Sequence, residues 1–208
     1  MSKENKARNK SMNRIKTCPF MALNILRELL IKDAANSGYI GEPVSKASHM
    51  LGAAFSASQQ GMNDEVIIAS LFHDIGHLLA PDDTGGFGVS NHADLGAALL
   101  TGLGFPESVC GAIRHHADAK RYHIGLNTEY QLSPASRRTL EFQGGPMTIE
   151  QQEEFRRNPS FQAALRVREA DENAKTVEYD KESIRLAFNT FVPFMLDLLD
   201  RKKNCCSR

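Results

Sequence analysis

The sequence predicts an all-α protein that folds as a single helical domain. Apolar residues recur three and four positions apart along most of the chain, which is the spacing of one face of a helix. Capping residues and breaks built from glycine and proline separate these segments. No credible run of strands is present, and 208 residues are enough to bury one core. We therefore expect a helical domain over residues 18–200 between two flexible tails, a basic one at 1–17 and a short one at 201–208.

The first two helices are predicted over Phe20–Lys32 and about Val44–Gln60. The first has apolar residues on one face and polar residues on the other. A break at 36–38 follows it, and Pro43 suits the first turn of the second helix. That second helix carries His49.

The third predicted helix is the most apolar and carries a histidine next to an aspartate. Asn63 can cap its first turn. The helix is expected to continue through His73 and Asp74 to His77, which lies one turn after His73 and is expected to face the same way.

Six further helices are predicted after the third. Two of them span His92–Leu103 and Ser108 to about His116, followed by an irregular segment at 117–131. The next begins at Ser133-Pro134 and ends at the glycines 144 and 145. Thr148-Ile149-Glu150-Gln151 forms a capping box, which marks another helix start. Then follow Phe161–Ala174 and a long last helix, capped by Asp180, that runs to about Leu199 with a kink at Pro193.

Composition excludes several classes of protein. Lys plus Arg and Asp plus Glu both number 25, so we expect neither a nucleic-acid partner nor a membrane-surface partner. The four cysteines show no CxxC pair and no disulfide-framework spacing, which indicates a reducing, cytoplasmic location. The N-terminus lacks the apolar core of a signal sequence.

The buried His73-Asp74 pair predicts a metal site. Burying a carboxylate beside an imidazole is costly unless something pairs with them. The alternative is a His-Asp pair hydrogen-bonded in the core, but other histidines and an aspartate also fall at helix ends or on helix faces. These candidate residues are His49, His77, His92, the His115-His116 pair and Asp171.

Imidazole and carboxylate ligands suit iron, manganese or zinc, and ligand type alone does not choose between them. Physical reasoning cannot choose between His115 and His116 either, since they point to different sides of one helix. Asp171 is likewise ambiguous beside Glu172.

The order His, His-Asp, Asp resembles that of the HD-domain superfamily, whose members are metal-dependent all-α proteins. Two further histidines between the pair and the last Asp supply ligands for a second metal, with Asp74 able to bridge the ions. Five strings carry a closer resemblance: Tyr39-Ile40-Gly41-Glu42-Pro43-Val44, His73-Asp74-Ile75-Gly76-His77-Leu78-Leu79, Ala119-Lys120-Arg121-Tyr122, Leu132-Ser133-Pro134-Ala135-Ser136-Arg137-Arg138 and Gln143-Gly144-Gly145-Pro146-Met147. Together they resemble the HD-domain mixed-valent di-iron oxygenases that cleave organophosphonates (the PhnZ type), from about Tyr39 to Lys175.

The resemblance assigns roles to individual residues. The iron ligands it implies are His49, His73, Asp74 (bridging), His92, His116 and Asp171. His116 is selected because the family motif has one His before its Ala-Lys-Arg-Tyr run. His77 matches an active-site histidine beside the irons, and Tyr39 a tyrosine that occupies an iron site until substrate displaces it. Glu42 matches the carboxylate that receives the substrate's amino group, and the phosphonate-holding residues are Lys120, Ser136 and Arg168.

The implied reaction converts a 1-hydroxy-2-aminoethylphosphonate-type organophosphonate and O2 into glycine and inorganic phosphate. The implied cofactors are two iron ions, Fe(II) and Fe(III), and an upstream hydroxylase would supply the 1-hydroxy substrate. One alternative is the same chemistry on the N-trimethylated substrate, giving glycine betaine. The others are an HD-type metal-dependent phosphohydrolase and a metal-binding regulatory module without turnover.

Overall fold

The computed structural model describes residues 18–34, 44–86, 88–127, 129–174 and 177–205, and these contain α-helices and no strand. The predicted all-α class is therefore confirmed. The helices are α1 (Pro19–Asp33), α2 (Lys46–Gln59), α3 (Asp64–Phe72), α4 (His92–Leu103), α5 (Glu107–Leu126), α6 (Pro134–Phe142), α7 (Ile149–Arg156), α8 (Phe161–Glu172) and α9 (Lys181–Cys205). A short 3₁₀ turn, Ile75–Leu78, lies between α3 and α4.

Helix α3 lies at the centre of the bundle. All of its residues from Val66 to Phe72 are buried, which a helix tolerates only when neighbours cover every side. It packs against α2, α5, α8 and α9. The end of α3, where the His-Asp pair stands, is thereby brought next to three of the helices that carry the other candidate metal-binding residues.

Local signals explain most of the helix starts. The side chains of Asn63, Ser133 and Thr148 each accept a hydrogen bond from the backbone N–H three residues later, and Thr148 and Gln151 complete the predicted capping box. The backbone N–H of Ser183 likewise donates to Asp180. These caps agree with the sequence prediction.

The third helix ends earlier than predicted. It stops at Phe72, and His77 lies in the 3₁₀ turn instead of on a continuous α-helix. The reason is a tertiary contact: a Cβ on Gly76 would lie 1.9 Å from the backbone oxygen of His92. The glycine lets the turn approach the start of α4 this closely, which the helical periodicity of the sequence does not reveal.

Helix α5 is ten residues longer than predicted, ending at Leu126. The sequence prediction of an irregular segment at 117–131 is therefore wrong for residues 117–126, because one face of this stretch is apolar. Ala119 and Tyr122 pack in a small second core with Phe155 and Ala164. Because this core covers that face, the charged stretch is helical and Lys120 is carried on it.

The other differences concern helix ends. Helix α2 begins at Lys46 with Ser45 as its cap, instead of near Val44 after Pro43. Helix α8 ends at Glu172, two residues before the predicted end, and α9 continues past Leu199 to Cys205 with Pro193 inside it. No helix in the described part of the chain combines the length and the apolarity needed to cross a membrane.

Candidate active site

A cavity of about 310 Å³ opens where α2, α4, α5, α6 and α8 meet the end of α3. Its wall is polar. The lining residues are His49, Asp74, His77, His92, His116, Ala117, Lys120, Gln131, Ser133, Ser136, Thr139, Gln143, Arg168, Asp171, Glu172 and Ala174. The cavity thus brings together nearly all of the described residues that the sequence singles out, and His73 is buried beside it.

The carboxylate of Asp74 stands between two groups of imidazoles. Its Oδ1 atom lies 3.5 Å from Nε2 of His92 and 3.5 Å from Nε2 of His116. Its Oδ2 atom lies 3.5 Å from Nε2 of His73. A carboxylate placed in this way can offer one oxygen to each of two metal ions.

The first group is completed on the side of α2 and α8. Nε2 of His49 lies 2.8 Å from Oδ1 of Asp171, and Nε2 of His73 lies 3.6 Å from the same oxygen. Donor atoms of His49, His73 and Asp74 lie within 4.8 Å of one another. Two imidazoles and two carboxylates therefore converge on one point.

Three of the imidazoles are oriented by the backbone. Their Nδ1 atoms lie 2.7–2.9 Å from the carbonyl oxygen of the residue three positions earlier: His73 with Ser70, His92 with Val89 and His116 with Ile113. A carbonyl oxygen only accepts, so each Nδ1 carries the proton and donates it. Each Nε2 then points toward the Asp74 carboxylate, 3.5 Å away, which is the arrangement that metal-binding histidines adopt.

The residues present fit a metal centre. Nε2 of His73 is buried and has no hydrogen-bond partner among the described residues, and Nε2 atoms of His92 and His116 face each other at 3.2 Å. A buried polar atom without a hydrogen-bond partner is unfavourable. Metal ions placed between these nitrogens and the shared carboxylate would satisfy them.

The two carboxylates of the cluster, Asp74 and Asp171, are kept ionised by their neighbours. Burial alone would raise the pKa of Asp74, but the surrounding imidazoles, His73 first, outweigh it and hold that pKa well below its usual range. Asp171 behaves in the same way, with Arg168 as the largest opposing charge. Burial would lower the pKa of His73, yet Asp74 and Asp171 together raise it to about 9. Binding a metal at this nitrogen would release the proton.

For two other imidazoles, the effect of burial on the pKa outweighs that of the nearby carboxylate. Burial lowers the pKa of His92 to about 3 and that of His77 to about 4. Their rings stack at 3.9 Å between centroids, and Nε2 of His77 lies 3.8 Å from Oδ1 of Asp74. Both rings are therefore neutral at pH 7.

The structure distinguishes His116 from His115. His116 is buried and reaches Asp74, as described above. The His115 ring points to the other side of α5, where Nδ1 bonds to Asp118 and Nε2 contacts the amide of Asn158. Only His116 lines the cavity, in agreement with the choice that the resemblance implies.

Two buried cations, Lys120 and Arg168, also line the cavity. Nζ of Lys120 donates to the hydroxyl of Thr139 at 2.9 Å. The guanidinium of Arg168 donates to Asp171 and to Glu172, with 2.7 Å between Nη2 and Oε1 of Glu172. Burial first, and then the charge of Arg168, lowers the pKa of Lys120 to about 7. This pair could hold an anion in the cavity.

Ser136 lies in the first turn of α6 and also lines the cavity. Thr139 follows three residues later on the same face and was not predicted, although this spacing could have indicated it. Gln143 was quoted only as part of a motif, yet its buried Oε1 has no partner among the described residues. Glu172 had been noted only as a rival to Asp171.

Two predicted residues, Tyr39 and Glu42, lie outside the described residues. Their expected roles remain predictions.

Comparison with known proteins agrees with this geometry. The family model of the HD domain matches residues 47–178. The chain is 35% identical over 170 residues to the [1-hydroxy-2-(trimethylamino)ethyl]phosphonate dioxygenase (glycine-betaine-forming) of Leisingera caerulea, covering 78% of this chain and 83% of the relative. It is 38% identical over 152 residues to the hydroxymethylphosphonate dioxygenase of Gimesia maris, covering 70% and 75%. An uncharacterized protein of Acanthamoeba polyphaga mimivirus is 33% identical over 172 residues, covering 80% and 78%. The chain therefore belongs to the HD-domain family, within the group that includes these phosphonate dioxygenases.

Proposed function

We propose that this chain is a di-iron oxygenase that cleaves the carbon–phosphorus bond of a 1-hydroxy-2-aminoethylphosphonate-type substrate, giving glycine and inorganic phosphate. One observation carries the proposal: two groups of metal-binding side chains share Asp74 in a cavity that the buried cations Lys120 and Arg168 also line. The named relatives, both phosphonate dioxygenases, support it.

The distances support the following assignment of metal-holding residues. His49, His73 and Asp171 would hold one iron with Oδ2 of Asp74. His92 and His116 would hold the other with Oδ1 of Asp74. Bound there, the iron pair would supply the redox chemistry that lets O2 react with the substrate.

The reaction is balanced without another oxidant or reductant. The carbon that bears the hydroxyl and the phosphonate loses its bonds to hydrogen and phosphorus and becomes a carboxylate carbon. It loses four electrons, which is the number that one O2 accepts. We therefore expect O2 as the only co-substrate, and a separate hydroxylase would have to supply the 1-hydroxy group.

The chain's own residues would bind and orient the substrate. Lys120 and Arg168 would form charge-assisted hydrogen bonds with the phosphonate oxygens, which are stronger than neutral ones. Ser136 would donate another from the first turn of α6. Because Asp171 and Glu172 hold the guanidinium of Arg168 from one side, its orientation is set before substrate arrives.

The polar lining of the cavity favours a substrate with a primary amine. A quaternary ammonium is bound best by an aromatic box, and no Phe, Tyr or Trp lines the cavity among the described residues. The second candidate is the N-trimethylated substrate, which the name of the Leisingera caerulea relative supports. Glu42, the expected partner of the amino group, lies outside the described residues and does not decide the matter.

Phosphate release decides the reaction class. The purified iron-loaded chain should release phosphate from 1-hydroxy-2-aminoethylphosphonate in air and none under anaerobic conditions, and label from 18O2 should enter the carboxylate of glycine. The trimethylated compound and hydroxymethylphosphonate serve as the comparison substrates. Equal phosphate release without O2 would show that the chain is a hydrolase. Faster turnover of the trimethylated compound would show that this compound is the preferred substrate, and the proposed oxygenase reaction would still hold.

The pKa of Lys120 predicts a pH dependence. The ammonium is charged below pH 7 and loses its proton as the pH rises through about 7, so kcat/KM for an anionic phosphonate should fall on the basic side. Arginine stays protonated throughout this range. In Lys120→Arg the basic limb should therefore move to higher pH. Coincident pH profiles of kcat/KM in the two enzymes would show that Lys120 does not cause this limb.

A further inference from the structure

Residue Val89 lies between two stacked imidazoles and bonds to both of them through its backbone. Its N–H donates to Nδ1 of His77 at 2.9 Å. Its carbonyl oxygen accepts from Nδ1 of His92, also at 2.9 Å. Val89 is buried, and so are both histidines.

These two bonds require opposite proton positions on the two rings. A carbonyl oxygen only accepts, so Nδ1 of His92 carries a proton and its Nε2 is a lone pair. A backbone N–H only donates, so Nδ1 of His77 is the lone pair and the neutral ring carries its proton on Nε2. His77 thus differs from His73, His92 and His116, whose Nδ1 atoms all face carbonyl oxygens.

A tightly bonded loop fixes Val89 in this position. The carboxylate of Asp82 accepts from the backbone N–H groups of Thr84, Gly86 and Gly88. The carboxylate of Asp83 accepts from both the backbone N–H and the hydroxyl of Ser90, each at 2.7 Å. The hydrogen bonds therefore tie the loop together on both sides of Val89.

Gly88 allows the loop to touch the ring of His77. Its φ is +97°, and a Cβ at this position would lie 2.6 Å from both Nδ1 and Cε1 of His77. Gly61 provides a comparison outside this loop and outside the cavity, because its φ is also positive (+66°) but no described residue lies within 4 Å of a Cβ there. The two glycines have similar backbone demands and differ in their contact with His77.

We propose that the loop residues 82–86 and 88–90 position His77 as a hydrogen-bond donor and exclude it from the metal ligands. Through Val89 the loop leaves His92 with a free Nε2 for metal and gives His77 an Nε2–H that faces the cavity. That N–H would donate to an oxygen of the bound substrate. Donor atoms of Asp74, His77 and His92 lie within 4.8 Å of one another. By distance alone, His77 could therefore bind a metal ion together with Asp74 and His92. The proton on its Nε2 is what prevents this. Gly88 and Val89 are positioning residues, and this role rests on the proposed oxygenase function.

The proton positions can be measured without turnover. The full-length chain is loaded with Zn(II), which is diamagnetic, and labelled with 15N in the histidine rings. Two-bond 1H–15N correlation spectra distinguish the two neutral forms of each ring, and His77→Gln identifies the signals of His77. We expect His77 in the Nε2–H form with Nε2 not bound to zinc. His77 in the Nδ1–H form, or bound to zinc, would overturn the proposal whatever the activity of the enzyme.

Gly88→Ala tests the loop itself, with Gly61→Ala as the matched control. In Gly88→Ala the spectrum of His77 should change, and in the iron-loaded enzyme kcat should fall by about 100-fold, the cost of roughly 1 Å of misplacement, with KM and iron content little changed. Gly61→Ala should keep the wild-type spectrum and kcat. An unchanged spectrum and kcat in Gly88→Ala would overturn the proposal.

If the Gly88→Ala variant does not fold, the Asp82→Ala variant is used in its place. Asp82→Ala removes the acceptor of three loop N–H groups without adding a contact to His77. The same change in the His77 spectrum is expected, and a wild-type spectrum would overturn the role of the loop. A wild-type chain without O2-dependent phosphate release would contradict the proposed function alone, since the zinc spectra are independent of it.

Discussion

Asp74→Asn is expected to abolish turnover and to lower the iron content from about two ions per chain to roughly one or fewer. The two oxygens of Asp74 face different groups of imidazoles, at 3.5 Å in each case. Asparagine keeps the shape but removes the negative charge and replaces one oxygen by an amide nitrogen that does not bind metal. One of the two groups therefore loses its shared ligand.

Asp118→Asn is the matched control for this prediction. Asp118 is a partly buried aspartate that also bonds to a histidine, His115, but it lies outside the cavity. Its replacement should leave the iron content unchanged. Iron analysis of the two purified variants, with circular dichroism to confirm folding, makes the comparison. Full iron content in Asp74→Asn would contradict the assignment of Asp74 as the bridging ligand.

Lys120→Met is expected to cause the largest loss among the substrate-binding residues. Lys120 is buried, and its Nζ donates to the neutral hydroxyl of Thr139 at 2.9 Å. Removing the charge leaves a phosphonate dianion in a partly desolvated site without one of its two cations. Losing one partner of such a pair typically costs about 2–5 kcal/mol, which is roughly 30-fold to several thousand-fold in kcat/KM at about 1.4 kcal/mol per decade. Methionine has nearly the same length, so little cavity is created.

Arg114→Ala is the control for Lys120, since both are cations on α5. Arg114 pairs with Glu107 on the surface, and it does not line the cavity. Surface pairs of this kind contribute little, so kcat/KM should be nearly unchanged. Steady-state kinetics with the phosphonate substrate compares the two variants. A kcat/KM in Lys120→Met equal to that of the wild type would show that Lys120 does not bind the substrate.

The sequence determined those parts of the structure that depend on near neighbours in the chain. Asn63, Ser133 and Thr148 cap helices as expected, because a cap bonds to a backbone group only three residues away. The apolar spacing of α3 predicts a buried helix for the same reason. The His73-Asp74 pair predicts a metal site because a buried carboxylate and imidazole need a partner. The resemblance to HD-domain oxygenases, carried by short strings of residues, led to the family that the comparisons show.

Only the tertiary structure decided where the side chains point. The change from α3 to the 3₁₀ turn depends on the contact of Gly76 with the backbone of His92, and the length of α5 depends on packing against α7 and α8. The sequence did not reveal that Thr139 holds Lys120, nor that Val89 gives His77 and His92 opposite proton positions. These features are set by atoms that are distant in the chain or that belong to the backbone of a loop. The periodicity of the sequence shows only which face of a helix is apolar. The role of each imidazole depends on its neighbours in space, because a neighbouring carbonyl oxygen requires a proton on the ring nitrogen that it contacts and a neighbouring N–H requires a lone pair there.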